Sequence, residues 1–418
     1  MTLGFQWQGQ ANYDAVGEAV LERTKALLVA DPIACATGLR APLKRFALRA
    51  QLSPPPPPSF NTAAMEVDRV EAQDGAAEGG EAGAAEVGAA GAAAQAGAPA
   101  YVYASADLHE SSAPVLLLVC GAAPGGSAGV WGRALCVNAD LEQGAMLGSV
   151  ARAQARGWSV AVADPNVNYA DFSDGEQGKR EEGLGTSSGS SGGSSEATDT
   201  GSSTPPVPTL IAGSESPHCH LATLYDALLA SCPARQVLIV AHSYGASSTV
   251  AMLKQLDEHQ LARIGAVVFT DAFGDPSWLQ EQAPADMEND DNDEGDGAGT
   301  VEGARTKTAA AVAGAAAGLT SELARWKVLA PHAFAPPSPA VLACLRQCGR
   351  NYVASALPAG TPLAANYHGT PALSAGHESH PATTHAATAH FFDFLDAAAA
   401  GNALAANDAL RESCPTEP

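Results

Sequence analysis

The sequence predicts an α/β fold with a mostly parallel central sheet flanked by helices. Short apolar runs, rich in Val, Ile, Leu and Ala, are bounded by Gly, Pro or Asp, as expected of strands buried on both faces of a parallel sheet. These runs alternate with segments in which apolar residues recur every three or four positions. That alternation is the order of βαβ units, whose crossovers are right-handed.

The strand predictions rest on the apolar runs and on their boundaries. The clearest is P-V-L-L-L-V-C, a continuous apolar run that a proline opens and Gly121 follows. Another run, W-S-V-A-V-A, is stopped by D-P-N. In chain order, the predicted strands are Ala100–Ser105, Pro114–Cys120, Trp158–Ala163, Gln236–Ala241, Ile264–Thr270 and Asn351–Ser355.

The helix predictions follow from apolar residues spaced three and four apart. Tyr13–Val29 is amphipathic, and Leu141–Arg156 is followed by Gly157, a typical helix C-cap. Two further helices are predicted at Leu221–Ser231 and Ala246–His259, and a terminal one contains F-F-D-F-L.

Three tracts have too few large apolar side chains to offset the entropy of ordering the chain, so we expect them to be disordered insertions. The expected layout is an N-terminal helix and proline-rich linker that pack on the main domain (1–60), a low-complexity insertion (61–99), the α/β domain (100–400) with insertions at about 173–209 and 282–318, and a C-terminal tail (401–418).

The charge pattern argues against a phosphate-binding surface. The formal net charge is −23, and most of it lies on the acidic low-complexity tracts, whereas nucleic-acid binding needs clustered Lys and Arg. We therefore expect no direct binding to nucleic acid. The eight cysteines include no C-x-x-C pair, so the sequence predicts no metal site, and no cofactor is expected.

The location of the protein is predicted from its apolar segments. The first residues, M-T-L-G-F-Q-W-Q-G-Q, lack the basic and apolar regions of a secretory signal. The longest strongly apolar run, Val115–Ala123, is too short to span a bilayer. We expect a protein of the nucleus, the cytoplasm or both, neither secreted nor bound to a membrane.

The stretch A-H-S-Y-G, which starts at Ala241, resembles the nucleophile elbow G-x-S-x-G with alanine in place of the first glycine. It lies between a predicted strand and a predicted helix, where small flanking residues let a sharp turn present the serine hydroxyl. In an open parallel sheet, ligands bind beyond the carboxyl ends of the strands, which is where Ser243 falls. Ser243 is the candidate nucleophile of an α/β-hydrolase-like fold; the alternative is a serine that only caps the helix.

A nucleophilic serine needs a base and an acid that orients the base, in the chain order Ser, Asp or Glu, His. Asp271 ends the next predicted strand and is the best candidate acid. A-G-H-E-S-H-P offers two candidate bases, His377 and His380, just before the terminal helix. For the oxyanion hole we expect backbone N–H groups from the glycine-rich loop and from the residue after the serine, namely Gly121, Ala122 and Tyr244.

Motifs along most of the chain suggest a family. D-P-N-V-N-Y at Asp164, V-A-H-S-Y-G at Val240, F-T-D-A-F at Phe269 and S-A-G-H-E-S-H at Ser374 follow one another, after Y-D-A-V-G-E-A-V at Tyr13. Together they resemble the Argonaute-binding protein two (Arb2) domain family, which includes animal cotranscriptional regulators. The pairing of P-N-x-N-Y with A-H-S-Y-G is fairly specific, because generic hydrolases lack it.

The resemblance implies an α/β-hydrolase-like fold with Ser243 in the nucleophile position. It places the family's histidine on His380, whereas generic α/β-hydrolases would place theirs on His377. It also implies Argonaute, chromatin or splicing proteins as partners, in small-RNA-guided heterochromatin assembly or in coupling chromatin to splicing. The chain departs from the pattern at Cys120, where the family often has histidine, and in lacking the carboxylates expected after Asn351.

Two hypotheses about function follow. The first is a hydrolase-like scaffold in RNA silencing or splicing, in which Ser243 persists as part of the fold. The alternative is an active serine hydrolase that cleaves an ester, thioester or amide. Since fold does not determine function, an intact Ser–His–acid geometry beside an open pocket would favour the enzyme.

Overall fold

The computed structural model describes residues 10–30, 39–48, 98–122, 127–170, 209–272 and 323–413. Nearly all of the three predicted disordered insertions lies outside the described residues. None of the helices within those ranges is long and apolar enough to cross a membrane.

Within the described ranges, nine strands form one sheet and two short strands form a separate hairpin-like pair. The sheet order is β1-β2-β4-β3-β7-β8-β9-β11-β10, and β5 pairs with β6. The strands are β1 (Leu43–Leu48), β2 (Ala100–Ser105), β3 (Val115–Val119), β4 (Ser159–Ala163), β5 (Tyr169–Ala170), β6 (Thr209–Leu210), β7 (Val237–His242), β8 (Ile264–Thr270), β9 (Gly349–Val353), β10 (Pro362–Tyr367) and β11 (Thr370–Ser374).

The centre of the large sheet is parallel. Strands β4, β3, β7, β8, β9 and β11 pair in parallel in that order, while β1, β2 and β10 pair antiparallel at the two sides. Every residue of β3, β4 and β7 is buried, as their continuous apolar sequences require. The prediction of a mostly parallel sheet flanked by helices is confirmed.

Helices flank the sheet, as expected when parallel strands are joined by crossovers. They are α1 (Gln10–Val29), α2 (Arg133–Asn138), α3 (Leu141–Gly144), α4 (Leu147–Ala155), α5 (Pro217–Leu224), α6 (Tyr244–Leu253), α7 (Glu258–Ala262), α8 (Pro339–Cys348), α9 (Thr383–Ala386), α10 (Thr388–Ala399) and α11 (Ala403–Ser413). Residues 323–329 are also helical, and α5 continues into a π-helical turn at Tyr225–Leu229.

Strand β1 lies where the sequence predicts only a linker. Its ends, Leu43 and Leu48, are buried, while Lys44 and Arg45 between them are exposed. Charged residues are common on edge strands, where they discourage pairing with other chains, so such a strand has no continuous apolar run. Strands β10 and β11 were not predicted either: neither has a continuous run of large apolar residues, and the register between them shifts between Leu363 and Tyr367.

Two further differences from the predictions involve tertiary contacts. The single helix predicted at Leu141–Arg156 is interrupted at Ala145, which is extended and forms an isolated bridge with Val130. The expected C-terminal tail contains α11, whose apolar residues pack against the main core. In both cases a tertiary contact determines the backbone conformation, and a local pattern does not contain that information.

We predict that Gly245→Ala destabilises the protein, because a Cβ at position 245 would lie 2.5 Å from the Cys120 carbonyl oxygen and 3.0 Å from that of Val119. Forcing a methyl group into such a packed site costs about 1–3 kcal/mol, which urea unfolding would measure. Gly148→Ala is the matched control, since a Cβ there meets nothing within 4 Å. Equal unfolding midpoints for the two variants would contradict the prediction.

Candidate active site

Ser243 lies on a sharp turn between β7 and α6. Its backbone has φ 53° and ψ −125°, a conformation that non-glycine residues rarely adopt. The Ser243 N–H donates to the Thr270 carbonyl at 3.0 Å, and the Ser243 carbonyl accepts from the Ala246 N–H at 3.0 Å. The strand, the strained serine and the following helix together have the geometry of a nucleophile elbow.

The loop that follows β3 passes directly beside this serine. A Cβ at Gly121 would lie 3.0 Å from the Ser243 Cβ and 3.5 Å from its Oγ. The close approach follows from the parallel register that pairs Val119 with Ala241. A glycine at position 121 therefore lets backbone N–H groups come near the serine hydroxyl.

Asp271 and His380 form a short polar contact in the site. Asp271 Oδ2 lies 2.6 Å from His380 Nδ1, and the Asp271 side chain is buried. Asp271 Oδ1 accepts from the Ala354 N–H at 3.1 Å, so both carboxylate oxygens have donors. Because a carboxylate only accepts, the His380 proton sits on Nδ1, and Nε2 is the nitrogen able to take a proton.

The alternative base, His377, is placed differently. Its side chain is exposed, and its Nδ1 accepts from the Ser379 N–H at 2.9 Å. His380 instead begins a 3-10 turn with Pro381, which brings its ring to the acid. The two histidines are three residues apart, yet only His380 contacts Asp271 among the bonds of the described residues.

Ser243, His380, Gly121 and Ala122 line one cavity of about 190 Å³. The structure therefore brings together the predicted nucleophile, the predicted base and the predicted oxyanion loop. Tyr244 is the first residue of α6, so its N–H has no partner within the helix. Its ring turns away toward His218, whose Nε2 lies 3.2 Å from the Tyr244 hydroxyl.

His242 is a site residue that the sequence analysis did not identify. Its ring packs against the His380 ring, with centroids 4.7 Å apart. Its Nδ1 lies 3.2 Å from the Thr270 carbonyl oxygen and 3.2 Å from Thr384 Oγ1. Burial lowers the pKa of His242 to about 3, so the ring is neutral at ordinary pH and supports His380 without adding a positive charge.

Asn166, from the D-P-N-V-N-Y motif, holds the oxyanion loop. Its Nδ2 donates to the Gly121 carbonyl at 2.8 Å and to Ser127 Oγ at 2.6 Å. Since a trans peptide places its C=O and N–H on opposite sides, fixing the Gly121 carbonyl also fixes the direction of the Ala122 N–H. The cysteine that departs from the family pattern, Cys120, is buried beside Ser127, and burial raises the pKa of its thiol to about 12.

Asp164 joins three segments behind the site. Its Oδ1 accepts from the Ser127 and Ala128 N–H groups at 3.0 and 3.1 Å, and its Oδ2 lies 3.8 Å from Lys25 Nζ on α1. The Asp164 N–H donates to His220 Nε2 at 3.3 Å. Burial raises the pKa of the Asp164 carboxyl, and the Lys25 ammonium opposes that rise.

Across the described ranges, no cluster of three or more His, Cys, Asp or Glu side chains is placed to hold a metal ion. The chemical groups that the site offers are a hydroxyl, an imidazole–carboxylate pair and backbone N–H donors, which together can perform acyl transfer.

Comparison with known proteins gives one domain match. The model of the Arb2 domain matches residues 91–285, a range that includes Ser243 and Asp271 and excludes α1 and His380. None of the solved structures gives a significant match.

Curated proteins with similar sequences carry a common name. The chain is 29% identical over 171 residues to the Cotranscriptional regulator ARB2A homolog of Dictyostelium discoideum, which covers 41% of this chain and 43% of that protein. It is 26% identical over 202 residues to the Cotranscriptional regulator ARB2A of Mus musculus, covering 44% and 47%. The matched part thus spans about half the length of these relatives.

The buried histidines predict how stability depends on pH. Burial lowers the pKa of His218, His220 and His242 to about 3, against an ordinary value of 6.5. The unfolded chain therefore binds protons that the folded protein does not, so stability is lost as pH falls from 6.5 toward 3. Each histidine contributes a loss of about 2 kcal/mol between pH 7 and pH 5.

His220→Gln tests this prediction. We expect the difference in unfolding free energy between pH 7 and pH 5 to be smaller by about 2 kcal/mol than in the wild type. Ser214→Ala is the control, because it removes the hydroxyl 3.1 Å from His220 Nδ1 but keeps the titrating ring. A wild-type pH dependence in His220→Gln would show that this ring is not kept neutral by burial.

Proposed function

We propose that this chain, which carries an Arb2 domain, is a serine hydrolase that cleaves an ester, thioester or amide and has a role in cotranscriptional regulation. The observation that carries the enzymatic part is the 2.6 Å contact between Asp271 and His380, with His380 and Ser243 lining the same cavity. The regulatory part rests on the names of the relatives.

In the proposed acylation step, Ser243 Oγ attacks the carbonyl carbon of the substrate while His380 Nε2 takes the hydroxyl proton. The negative charge that develops on the carbonyl oxygen is stabilised by backbone N–H groups of the loop after β3 and of Tyr244. His380 then gives the proton to the leaving group, whose bond to the carbonyl carbon breaks.

In deacylation, water replaces the leaving group. His380 removes a proton from the water, whose oxygen attacks the acyl-enzyme, and the proton returns to Ser243 Oγ as the acid departs. Asp271 keeps the His380 proton on Nδ1 throughout and stabilises the imidazolium that forms twice per cycle. The neutral His242 ring packs beside the His380 ring, so it places no like charge beside that imidazolium.

The second candidate function is a scaffold for partner proteins in the nucleus. The relatives named cotranscriptional regulators support it, and Argonaute, chromatin or splicing proteins are the proposed partners. Small-RNA-guided heterochromatin assembly would be one setting for such a scaffold. Binding of partners and hydrolysis are compatible in one protein, so the experiments must address the chemistry directly.

Labelling with a fluorophosphonate probe tests the enzyme. We expect the wild type to be labelled and Ser243→Ala to be unlabelled, because the probe reacts with an activated serine. His380→Ala and Asp271→Asn should be labelled at least about 10³-fold more slowly, since the base or its orientation is lost.

His377→Ala is the matched control for the base and should be labelled at the wild-type rate. Folding of each variant is checked by circular dichroism. An unlabelled but folded wild type would reject the hydrolase and leave the scaffold as the better function.

Asn166→Asp tests the positioning of the oxyanion loop. The change removes the donor to the Gly121 carbonyl and places an acceptor beside it, so the N–H of Ala122 loses its fixed direction. We expect the maximal labelling rate to fall by about 10–100-fold while the probe concentration at half-saturation stays within about twofold.

Asn138→Asp makes the same change at an exposed position. It should keep the wild-type maximal labelling rate and the wild-type probe concentration at half-saturation. If Asn166→Asp weakened binding of the probe and left the maximal rate intact, Asn166 would have no role in orienting the loop.

A further inference from the structure

We propose that the substrate of this site carries a short apolar acyl group, of no more than about six carbons, and that the cavity beside Ser243 receives it. This inference rests on the proposed hydrolase function. It rests on the apolar side chains that line the cavity, on the contacts that hold those side chains in place, and on the volume of the cavity.

Apolar side chains form a large part of the cavity lining. Leu21 of α1, Val130, Trp131 and Pro381 line the cavity together with Ser243. Leu21 and Val130 are almost wholly buried, with 1% and 2% of their surface exposed. Such a surface gains free energy by covering hydrocarbon. Arg133, which also lines the cavity, is paired with Glu18 at 3.1 Å.

This lining is held by contacts that leave it little freedom to move. Leu21 and Val130 pack in a small buried cluster with Cys136 and Ala145. The Trp131 N–H donates to the Gly144 carbonyl at 2.8 Å, and Val130 forms a bridge with Ala145. These contacts leave the apolar lining little room to yield to a longer acyl chain.

The α1 side of the lining is fixed by charge and by packing. Lys25 lies 3.8 Å from Asp164, and Arg133 pairs with Glu18 at 3.1 Å. A Cβ at Gly129 would lie 2.9 Å from Leu28 Cδ1, so the helix sits directly on the loop that bears Val130 and Trp131. These contacts thus hold Leu21 in the cavity lining, even though α1 lies outside the Arb2 domain match.

The volume limits the length of the acyl chain. A cavity of about 190 Å³ is smaller than the ~300 Å³ at which pockets for drug-sized ligands begin. An apolar cavity of roughly 150 Å³ holds one benzene molecule, which has six carbons. The space beside Ser243 is therefore suited to an acyl group of about that size and is too small for a long fatty chain.

The experiment compares p-nitrophenyl acetate, butyrate, octanoate and laurate with the full chain. Each buried methylene raises kcat/KM by about fourfold, so butyrate should exceed acetate by roughly tenfold or more. Laurate should fall at least about tenfold below butyrate, because its chain extends beyond the cavity. Fluorophosphonate labelling of the same samples counts the active sites.

Variants of the lining test whether it sets this preference. Leu21→Ala should raise the ratio of the laurate rate to the butyrate rate by about tenfold, because it enlarges the cavity. Val130→Phe should lower the ratio of butyrate to acetate by a similar factor, because it fills the space. Leu27→Ala, a buried leucine of the same helix that does not line the cavity, should keep the wild-type ratios.

The outcomes separate this inference from the proposed function. Labelled protein that prefers laurate, or whose ratios do not respond to Leu21→Ala and Val130→Phe, would overturn the short acyl substrate and leave the hydrolase intact. Protein that takes no label and cleaves none of the esters would overturn both.

Discussion

The close approach of β3 and β7 at their carboxyl ends is the constraint on which the candidate site depends. Two positions there have no room for a side chain. A Cβ at Gly245 would lie 2.5 Å from the Cys120 carbonyl oxygen, and one at Gly121 would lie 3.0 Å from the Ser243 Cβ. Because the parallel register sets this distance, the sheet itself places the oxyanion loop beside the serine.

The hydrogen bonds and the ion pair of Asp164 connect the sheet to α1. A buried carboxylate is costly unless it is paired and hydrogen-bonded, and Asp164 has two backbone N–H donors and Lys25 near it. The same residue therefore orders the loop around Ser127 and holds the helix that carries Leu21. The D-P-N-V-N-Y motif thus supports two walls of the cavity, through Asp164 on one side and Asn166 on the other.

The sequence was sufficient for those features that depend on local patterns. Continuous apolar runs predicted the buried strands, and a serine between a strand and a helix predicted the elbow at Ser243. The choice between His377 and His380 could not come from spacing, because a 3-10 turn decides which ring reaches Asp271; only the family resemblance favoured His380. The role of Asn166 was also hidden, since its side chain bonds to a backbone group 45 residues away.

The distribution of backbone strain bears on whether the site is used. Among the described residues, three that are not glycine have positive φ, and two of them are Ser243 and Asp271. Each such conformation costs of the order of 1–3 kcal/mol, and such strain clusters at sites where it serves a function. In the proposed acyl transfer, the turn at Ser243 presents its hydroxyl to the cavity, and Asp271 contacts His380. The positive φ angles at Ser243 and Asp271, at neighbouring strand ends, are therefore an observation that supports the proposed hydrolase.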